Sequence, residues 1–468
     1  MNINVQKNKN KADEIFGRNR NYAEIVDYLT SCKQIDYSES AILRIKELDK
    51  HLGNISEKID IILVGGANDK SLTVNFAAKL LAEEGFKAGT VYSTHLLTYN
   101  EQISLDSKPI QNKQLTDFVN EVLIVCETNK INATAFEIIT MASLLYFKSE
   151  DINIVIIEVG MGGRLDATNA FNPKITAVTQ IASDNMDLLG DSFEKITYEI
   201  MGLAKKDCLF ISAEQSKNCL QKMKDLAEVN GAKWIMPIRK QSPLPYIFEQ
   251  LYGRIASLAE RIALLYIETI KGKFSPFLKG NLLLNGQGQR GRPTLELKKN
   301  SMLNPVKTLK SFWNEKFELL RGNFELLDKE KPTILLDNAQ NLQAIANTFL
   351  GIRLLHYKKT LNGFALIMGI KNYHDVNEVI KLVRYLLKKV SGQVFFIPIP
   401  NDATCHKPED LCKLAKSFGI RASAHKSLNE AFELAKQTVD ERQGLVAITG
   451  STGIISEYWK NKDIKKFS

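Results

Sequence analysis

The chain has 468 residues, of which 44% are hydrophobic and 25% are charged, and its formal net charge at pH 7 is +9. This length exceeds that of one typical hydrophobic core, so we expect two domains with the composition of an ordinary globular protein. The longest apolar runs have strand length, which excludes a membrane-spanning chain. Lysines are scattered without a basic cluster interleaved with aromatic residues, so nucleic-acid binding is not expected, whereas an anionic ligand would suit the positive charge.

The cysteines and the N-terminal segment indicate the cellular compartment. The six cysteines include no CxxC pair, so free thiols are favoured over a zinc site or disulfides. The first residues are polar and lack the apolar core of a signal peptide. We therefore expect a cytoplasmic protein, and we expect it to be a monomer.

Strands and helices alternate along the first part of the chain. Amphipathic helices are predicted at 22–32 and 38–52, before a strand that ends at Gly65. Further strands are predicted at 88–92, 152–159, 175–181 and 208–212, and further helices at 72–84, 136–147 and 193–203. This alternation predicts an α/β fold with a doubly wound parallel sheet, whose ligand site lies beyond the carboxyl ends of its strands.

A second alternating block follows residues 271–305, which have the composition of loops and linkers and include an unexplained Gly-rich segment at 286–291. Its strands are predicted at 333–337, 363–368, 393–397 and 445–449, and its helices at 344–355, 376–390, 408–418 and 428–441. We therefore divide the chain into a larger α/β domain over 1–305 and a smaller α/β domain over 306–468.

The segment 59–81 has the pattern of a nucleotide-phosphate site. An aliphatic strand ends at Gly65 and Gly66, and Lys70 opens a helix. Backbone N–H groups and the positive end of a helix dipole favour phosphates there, and a lysine adds a full charge. However, Asp69 stands where a Walker A loop has glycine, and its carboxylate would repel a triphosphate. The loop alone therefore fits a plain strand–turn–helix corner equally well.

The most specific motif is residues 158–169, which read EVGMGGRLDATN. It resembles EVGLGGRLDATN of the folylpolyglutamate synthase/dihydrofolate synthase family, which belongs to the Mur-ligase-like amide ligases. Three shorter segments are also similar to family motifs: 66–70 to GTNGK, 93–96 to SPHL, and 337–341, reading DNAQN, to DGAHN. The resemblance spans residues 22–459 and implies a P-loop-type, Mur-ligase-like central domain followed by a smaller C-terminal domain that closes over the nucleotide.

The resemblance implies an activity and a set of site residues. The activity is ATP-dependent addition of L-glutamate to a folate or dihydropteroate carboxylate through an acyl phosphate, with Mg²⁺ and with ATP between the domains. Nucleotide contacts are implied for Gly66, Asn68, Lys70, Asp337 and Asn341, and catalytic roles for Lys70, Asp337 and Gln340. Metal ligands are implied at Ser93, Glu158 and Asn185. Pteridine contacts are implied for Phe136, Glu137, Leu165, Asp166 and Ala167.

Two of these residues are also unusual on physical grounds. Glu158 ends an otherwise apolar strand, where a carboxylate is costly unless it is paired or bound to a metal. Lys70 begins a helix, where the dipole disfavours a cation without a nearby anion. Asp166 has an alternative interpretation, in which it pairs with Arg164 and braces the loop.

Several positions depart from the family pattern. Leu72 replaces a serine or threonine, Asn185 and Gln340 replace histidines, Ile200 replaces a lysine that is carbamylated in many members, and Asn323 replaces an arginine. Two hypotheses therefore stay open: a working, divergent ligase, or a catalytically impaired member that binds nucleotide or folate in a regulatory role. A ligase for a non-folate substrate, such as a Mur-type peptide precursor, is a weaker third.

Overall fold

The computed structural model describes residues 19–152, 154–273, 275, 278, 308–372, 375–403 and 405–467. Within these ranges the chain forms an eight-stranded and a six-stranded sheet, each flanked by helices. The predicted Gly-rich segment at 286–291 lies outside the described residues. Among the helices described, none is long and apolar enough to cross a bilayer.

The first sheet has the order β4-β3-β2-β5-β1-β6-β7-β8. Its strands are β1 (Asp60–Gly65), β2 (Ala88–Val91), β3 (Ile103–Leu105), β4 (Lys108–Pro109), β5 (Ile154–Glu158), β6 (Ile175–Val178), β7 (Leu209–Ser212) and β8 (Lys233–Trp234). All pair in parallel except β3 and β4, which form an antiparallel edge. The central strands β1 and β5 are buried almost throughout, as expected for a parallel sheet covered on both faces.

Helices cover both faces of this sheet. They are α1 (Tyr22–Ser31), α2 (Glu39–His51), α3 (Lys70–Glu83), α4 (Asn112–Asn129), α5 (Ala135–Ser149), α6 (Met186–Leu189), α7 (Phe193–Met201), α8 (Lys217–Val229) and α9 (Phe248–Leu265). The predicted doubly wound parallel sheet is thus present, with the β3–β4 edge as an addition that the sequence did not predict.

The second sheet has the order β13-β12-β11-β14-β10-β9, with only β9 antiparallel. Its strands are β9 (Glu325–Leu327), β10 (Thr333–Leu336), β11 (Phe364–Met368), β12 (Gln393–Phe396), β13 (Ala422–Ala424) and β14 (Leu445–Thr449). The accompanying helices are α10 (Leu309–Lys316), α11 (Leu342–Lys358), α12 (Val376–Lys389), α13 (Pro408–Ser417), α14 (Leu428–Gln437) and α15 (Thr452–Asn461).

Apolar side chains from both parts of the chain form one continuous core between the sheets. Trp313 of α10 packs edge-on against Phe76 of α3, with ring centroids 5.0 Å apart. Phe324, just before β9, packs against Phe248 of α9 at 6.3 Å. These contacts join the two halves of the chain. The segments that follow β1 and β10 line a common cavity.

Candidate active site

The carboxyl ends of strands from both sheets surround one polar cavity of about 180 Å³. Eight of the residues predicted from the sequence line it: Gly66, Asn68, Lys70, Ser93, Glu158, Asn185, Asp337 and Gln340. The residues expected to hold phosphate, metal and reacting groups are therefore brought together, although they come from segments far apart in sequence.

The loop after β1 places a lysine beside this cavity. Gly66 has a φ of +115°, which favours glycine. Lys70 is the first residue of α3, and its Nζ donates a hydrogen bond to the Gly66 carbonyl at 3.1 Å. The positive end of the α3 dipole and the lysine charge thus lie together, which is the arrangement that favours a phosphate group.

Asp69 is a cavity residue with an unusual proton affinity. It precedes α3 in the left-handed conformation, with φ +60°, and its side chain makes no capping hydrogen bond. Burial and, to a smaller extent, the charge of Asp337 raise the pKa of its carboxyl to about 7, although the charge of Lys70 acts in the opposite direction. Near neutral pH this carboxyl therefore carries only part of its charge, which weakens the repulsion of phosphate that the sequence predicts.

Glu158 lies at the centre of a group of polar side chains whose oxygens could bind a metal ion. It is 4% exposed, and its Oε2 accepts hydrogen bonds from Ser71 Oγ at 2.8 Å and from the Ser93 backbone N–H at 3.3 Å. Sequence analysis missed Ser71, although a hydroxyl directly after the loop lysine is the pattern of a P-loop. Leu72, at the position where the family has the hydroxyl, is buried in the core instead.

These donors fit a magnesium ion, because carboxylate, hydroxyl and amide oxygens are the ligands that hard cations prefer. Asn185, with φ +48°, lines the same cavity. Over the described ranges, no cluster of three or more His, Cys, Asp or Glu side chains could hold a metal by itself. A cation here would therefore depend on serine and asparagine oxygens as well as on carboxylates.

Two further residues shape the side of the cavity near α6 and α7. Ile200 of α7 lines it and is 2% exposed, so this wall is apolar. Asp184 also lines it and is 7% exposed, and its Oδ1 is shielded from solvent without accepting a hydrogen bond from the described residues. Asp184 is not among the site residues that the sequence predicts.

The segment after β10 supplies the opposite wall. Asp337 accepts hydrogen bonds from the Phe324 N–H at 2.8 Å, the Ala339 N–H at 3.0 Å and Thr348 Oγ1 at 2.6 Å. Burial raises the pKa of Asp337, and these hydrogen bonds partly offset that shift. Gln340 accepts from Lys371 Nζ at 3.0 Å. Asp337 thus organises its own loop as well as facing the cavity.

The predicted pteridine residues lie apart from this cavity. None of the five, Phe136, Glu137, Leu165, Asp166 and Ala167, lines it, although Gly160, Met161 and Gly162 of the same motif do. Asp166 is fully buried and accepts hydrogen bonds from the Met161 N–H at 2.9 Å and from Thr168 Oγ1 at 2.6 Å. The alternative that Arg164 pairs with Asp166 is wrong, because Arg164 pairs with Glu199 at 3.0 Å.

Sequence comparisons give relatives over part of the chain. No family model matches it. A protein of Bacillus subtilis (strain 168) named dihydrofolate synthase/folylpolyglutamate synthase is 36% identical over 194 residues, which cover 40% of this chain and 45% of that protein. A protein of the same name from Haemophilus influenzae is 35% identical over 184 residues, which cover 37% of this chain and 40% of that protein. The matched stretch thus spans less than half the length of these curated relatives.

Solved structures resemble the chain over nearly its whole length. Mycobacterium tuberculosis folylpolyglutamate synthase complexed with ADP has a TM-score of 0.74 at 18% identity, and E. coli FolC in complex with DHPP and ADP has 0.70 at 20%. Each comparison covers 95% of this chain and 98% of the other. A bifunctional folylpolyglutamate synthase/dihydrofolate synthase with Mn, AMPPNP and L-glutamate bound also has a TM-score of 0.70, at 20% sequence identity. The predicted fold and the resemblance to this group of proteins are confirmed.

Proposed function

We propose that the chain is an ATP-dependent ligase that joins L-glutamate to the carboxylate of a folate or dihydropteroate. The observation that supports this most strongly is the convergence of Lys70, Glu158 and Asp337 on one polar cavity between the two sheets. The names of the relatives and the small-molecule ligands of the structural neighbours agree with this assignment.

In this proposal the chain's own residues hold and orient the reacting groups. Lys70 and the start of α3 bind the phosphates of ATP, which gives its terminal phosphoryl group to the substrate carboxylate. The glutamate amine then attacks the acyl carbon and gives up a proton, so the C–N bond forms as the C–O bond breaks and inorganic phosphate leaves. Magnesium, when bound, neutralises phosphate charge, and Glu158, Ser93 and Asn185 would hold it, with Ser71 fixing the Glu158 carboxylate.

The alternative of a catalytically impaired, regulatory protein finds no support in the comparisons, because both curated relatives carry synthase names. The cavity also keeps the lysine and the carboxylates that a ligase needs. Gln340 cannot carry a proton near neutral pH, so in this proposal it orients a group through its amide. The pteridine contacts, the monomeric state and the cytoplasmic location stay predictions.

The test is a reconstituted reaction with the full chain, ATP, Mg²⁺, L-glutamate and either dihydropteroate or a folate. We expect phosphate release that requires every component, together with a product whose mass shows one added glutamyl residue. Phosphate release that does not depend on glutamate, or the lack of any glutamylated product with both acceptors, would contradict the proposal.

A further inference from the structure

Asp184 is a buried carboxylate, and one of its oxygens has no hydrogen-bond partner among the described residues. Its side chain is 7% exposed, and its Oδ1 accepts no hydrogen bond from the described part of the chain. Burying a carboxylate is unfavourable unless it is hydrogen-bonded, paired or bound to a cation, so an unsatisfied buried oxygen in a polar cavity points to a bound cation. Lys70 is a cation that lines the same cavity, but the hydrogen bond that its Nζ donates goes to the Gly66 carbonyl.

The backbone holds Asp184 on the metal side of the cavity. β6 lies beside β1 in the sheet, and the chain that leaves β6 stays bonded to the phosphate loop. The Ala67 N–H donates to the Gln180 carbonyl at 2.9 Å, and the Thr179 N–H donates to the Gly65 carbonyl at 3.0 Å. Four residues beyond Gln180, Asp184 lines the cavity that Glu158 and Ser93 also line.

We propose that Asp184 is a ligand of the divalent cation, beside Glu158, Ser93 and Asn185. This inference rests on the proposed function, which places a cation in this cavity. The donor set then has two carboxylates, a hydroxyl and an amide, and no imidazole or thiolate. Oxygen-only sites favour hard cations such as Mg²⁺ and Mn²⁺ over softer, nitrogen-preferring ions such as Zn²⁺. The second carboxylate also adds negative charge beside the apolar side chain of Ile200, which lines the same side of the cavity.

The test is a titration of the full chain with Mn²⁺, without nucleotide, in which free Mn²⁺ is measured by electron paramagnetic resonance. We expect Asp184→Asn, which keeps the side-chain shape, to weaken Mn²⁺ binding by at least about tenfold, since changes around a metal commonly alter affinity by that much. Asp187→Asn is the matched control: it removes the same charge three residues away at an exposed position, and should bind like the wild type.

Thermal unfolding in chelator provides a second, independent readout. Asp184→Asn should unfold at the same temperature as the wild type or higher, because it removes an uncompensated buried charge. The wild type should gain stability on adding Mn²⁺, and the variant should gain much less. A structural role would instead lower the unfolding temperature of the variant in chelator.

The outcomes separate this inference from the proposed function. If Glu158→Gln loses Mn²⁺ while Asp184→Asn binds it as tightly as the wild type, the role of Asp184 is overturned and the cation site remains. If the wild type binds no Mn²⁺ with or without ATP, both the role of Asp184 and the proposed ligase fail.

Discussion

Asn68 and Asn341 exchange two side-chain hydrogen bonds across the cleft. Asn341 Nδ2 donates to Asn68 Oδ1 at 2.7 Å, and Asn68 Nδ2 donates to Asn341 Oδ1 at 3.1 Å. The same Asn341 oxygen caps α11 by accepting from the Ala344 N–H at 3.0 Å. The phosphate loop of the first sheet and the first turn of α11 are therefore fixed to each other by two amides.

Because Asn341 makes both contacts, two substitutions of Asn341 should lower the unfolding free energy by different amounts. Asn341→Ser keeps a capping oxygen and loses the contact with Asn68, whereas Asn341→Ala loses both. We expect a loss in unfolding free energy of about 1 kcal/mol for the serine variant and about 2 kcal/mol for the alanine variant. Asn68→Ala should resemble the serine variant. Equal losses for serine and alanine in urea unfolding would show that the cap contributes nothing.

Gly66 should tolerate alanine much less than another glycine with a positive φ. A Cβ on Gly66 would lie 2.2 Å from Thr179 Oγ1 and 2.9 Å from the Thr179 backbone nitrogen, whereas a Cβ on Gly85, with φ +79°, would meet nothing within 4 Å. Gly85→Ala should cost about 1–2 kcal/mol from its backbone conformation alone. Gly66→Ala should cost roughly 3 kcal/mol, because the loop must also move. Matching denaturation midpoints for the two variants would refute the steric argument.

Asp69 should make stability and nucleotide binding depend on pH. Its carboxyl pKa is raised from an ordinary 3.8 to about 7, so between these values the folded protein keeps a proton that the unfolded chain releases. The contribution of Asp69 to stability is therefore fully present below pH 3.8 and is lost as the pH rises through about 7. Asp69→Asn should remove this contribution, so the stability difference between wild type and variant separates it from the contribution of the half-buried Glu260, whose pKa is also about 7.

The titration of Asp69 should also change the affinity of the protein for ATP. Above pH 7 the wild-type Asp69 charge repels phosphate, so we expect affinity for magnesium–ATP to fall by roughly tenfold between about pH 6 and about pH 8.5. Asp69→Asn should hold a nearly constant affinity over that range. A wild type and a variant with parallel pH profiles in fluorescence titrations would show that Asp69 does not face the phosphates.

Glu137 should be a stability residue. It is fully buried and accepts hydrogen bonds from Arg44 Nε at 2.9 Å and Nη2 at 2.7 Å, and Arg44 also pairs with Asp36 at 2.8 Å. Glu137→Gln leaves the guanidinium partly unpaired, and we expect a loss of roughly 3 kcal/mol in unfolding free energy, the lower end for a broken buried pair because Asp36 remains.

The exposed Glu121→Gln is the matched control for this substitution, and should change stability by less than about 0.5 kcal/mol. If Glu137 instead contacts the pteridine, Glu137→Gln would raise the KM for the folate and leave the unfolding transition in place. That pattern would contradict the structural role.

The parts of the fold that sequence patterns predicted are those with strong local signals. The apolar runs of β1 and β5 and the helix predicted at 136–147 are examples, and the structure places each within a few residues of its prediction. Helix α4 was missed because its first turn is polar, although Leu115, Val119 and further apolar residues at helical spacing are buried along it. The short edge strands β3, β4 and β9 carry too few residues to show alternation.

The candidate site depended on contacts that no local pattern reveals. Glu158 could be selected because a carboxylate at the end of an apolar strand is costly, but its partner Ser71 lies 87 residues earlier in the chain. Likewise, Arg44 and Glu137 are 93 residues apart, so the sequence could not show that Glu137 is already paired. Asp184 carries no comparable local signal, because its burial and the lack of a partner for its Oδ1 among the described residues are properties of the folded chain.

The central claim is that Lys70 and the oxygen cluster at Glu158 together hold a metal–nucleotide pair. Its most direct test is calorimetric titration of a non-hydrolysable ATP analogue with Mg²⁺ into the wild type, Lys70→Ala and Lys87→Ala, an exposed lysine near the end of α3. We predict matching affinities for the wild type and Lys87→Ala, and at least about tenfold weaker binding for Lys70→Ala, the equivalent of 1.4 kcal/mol or more. Wild-type protein that binds no nucleotide at millimolar concentration, or Lys70→Ala that binds as tightly as the wild type, would contradict it.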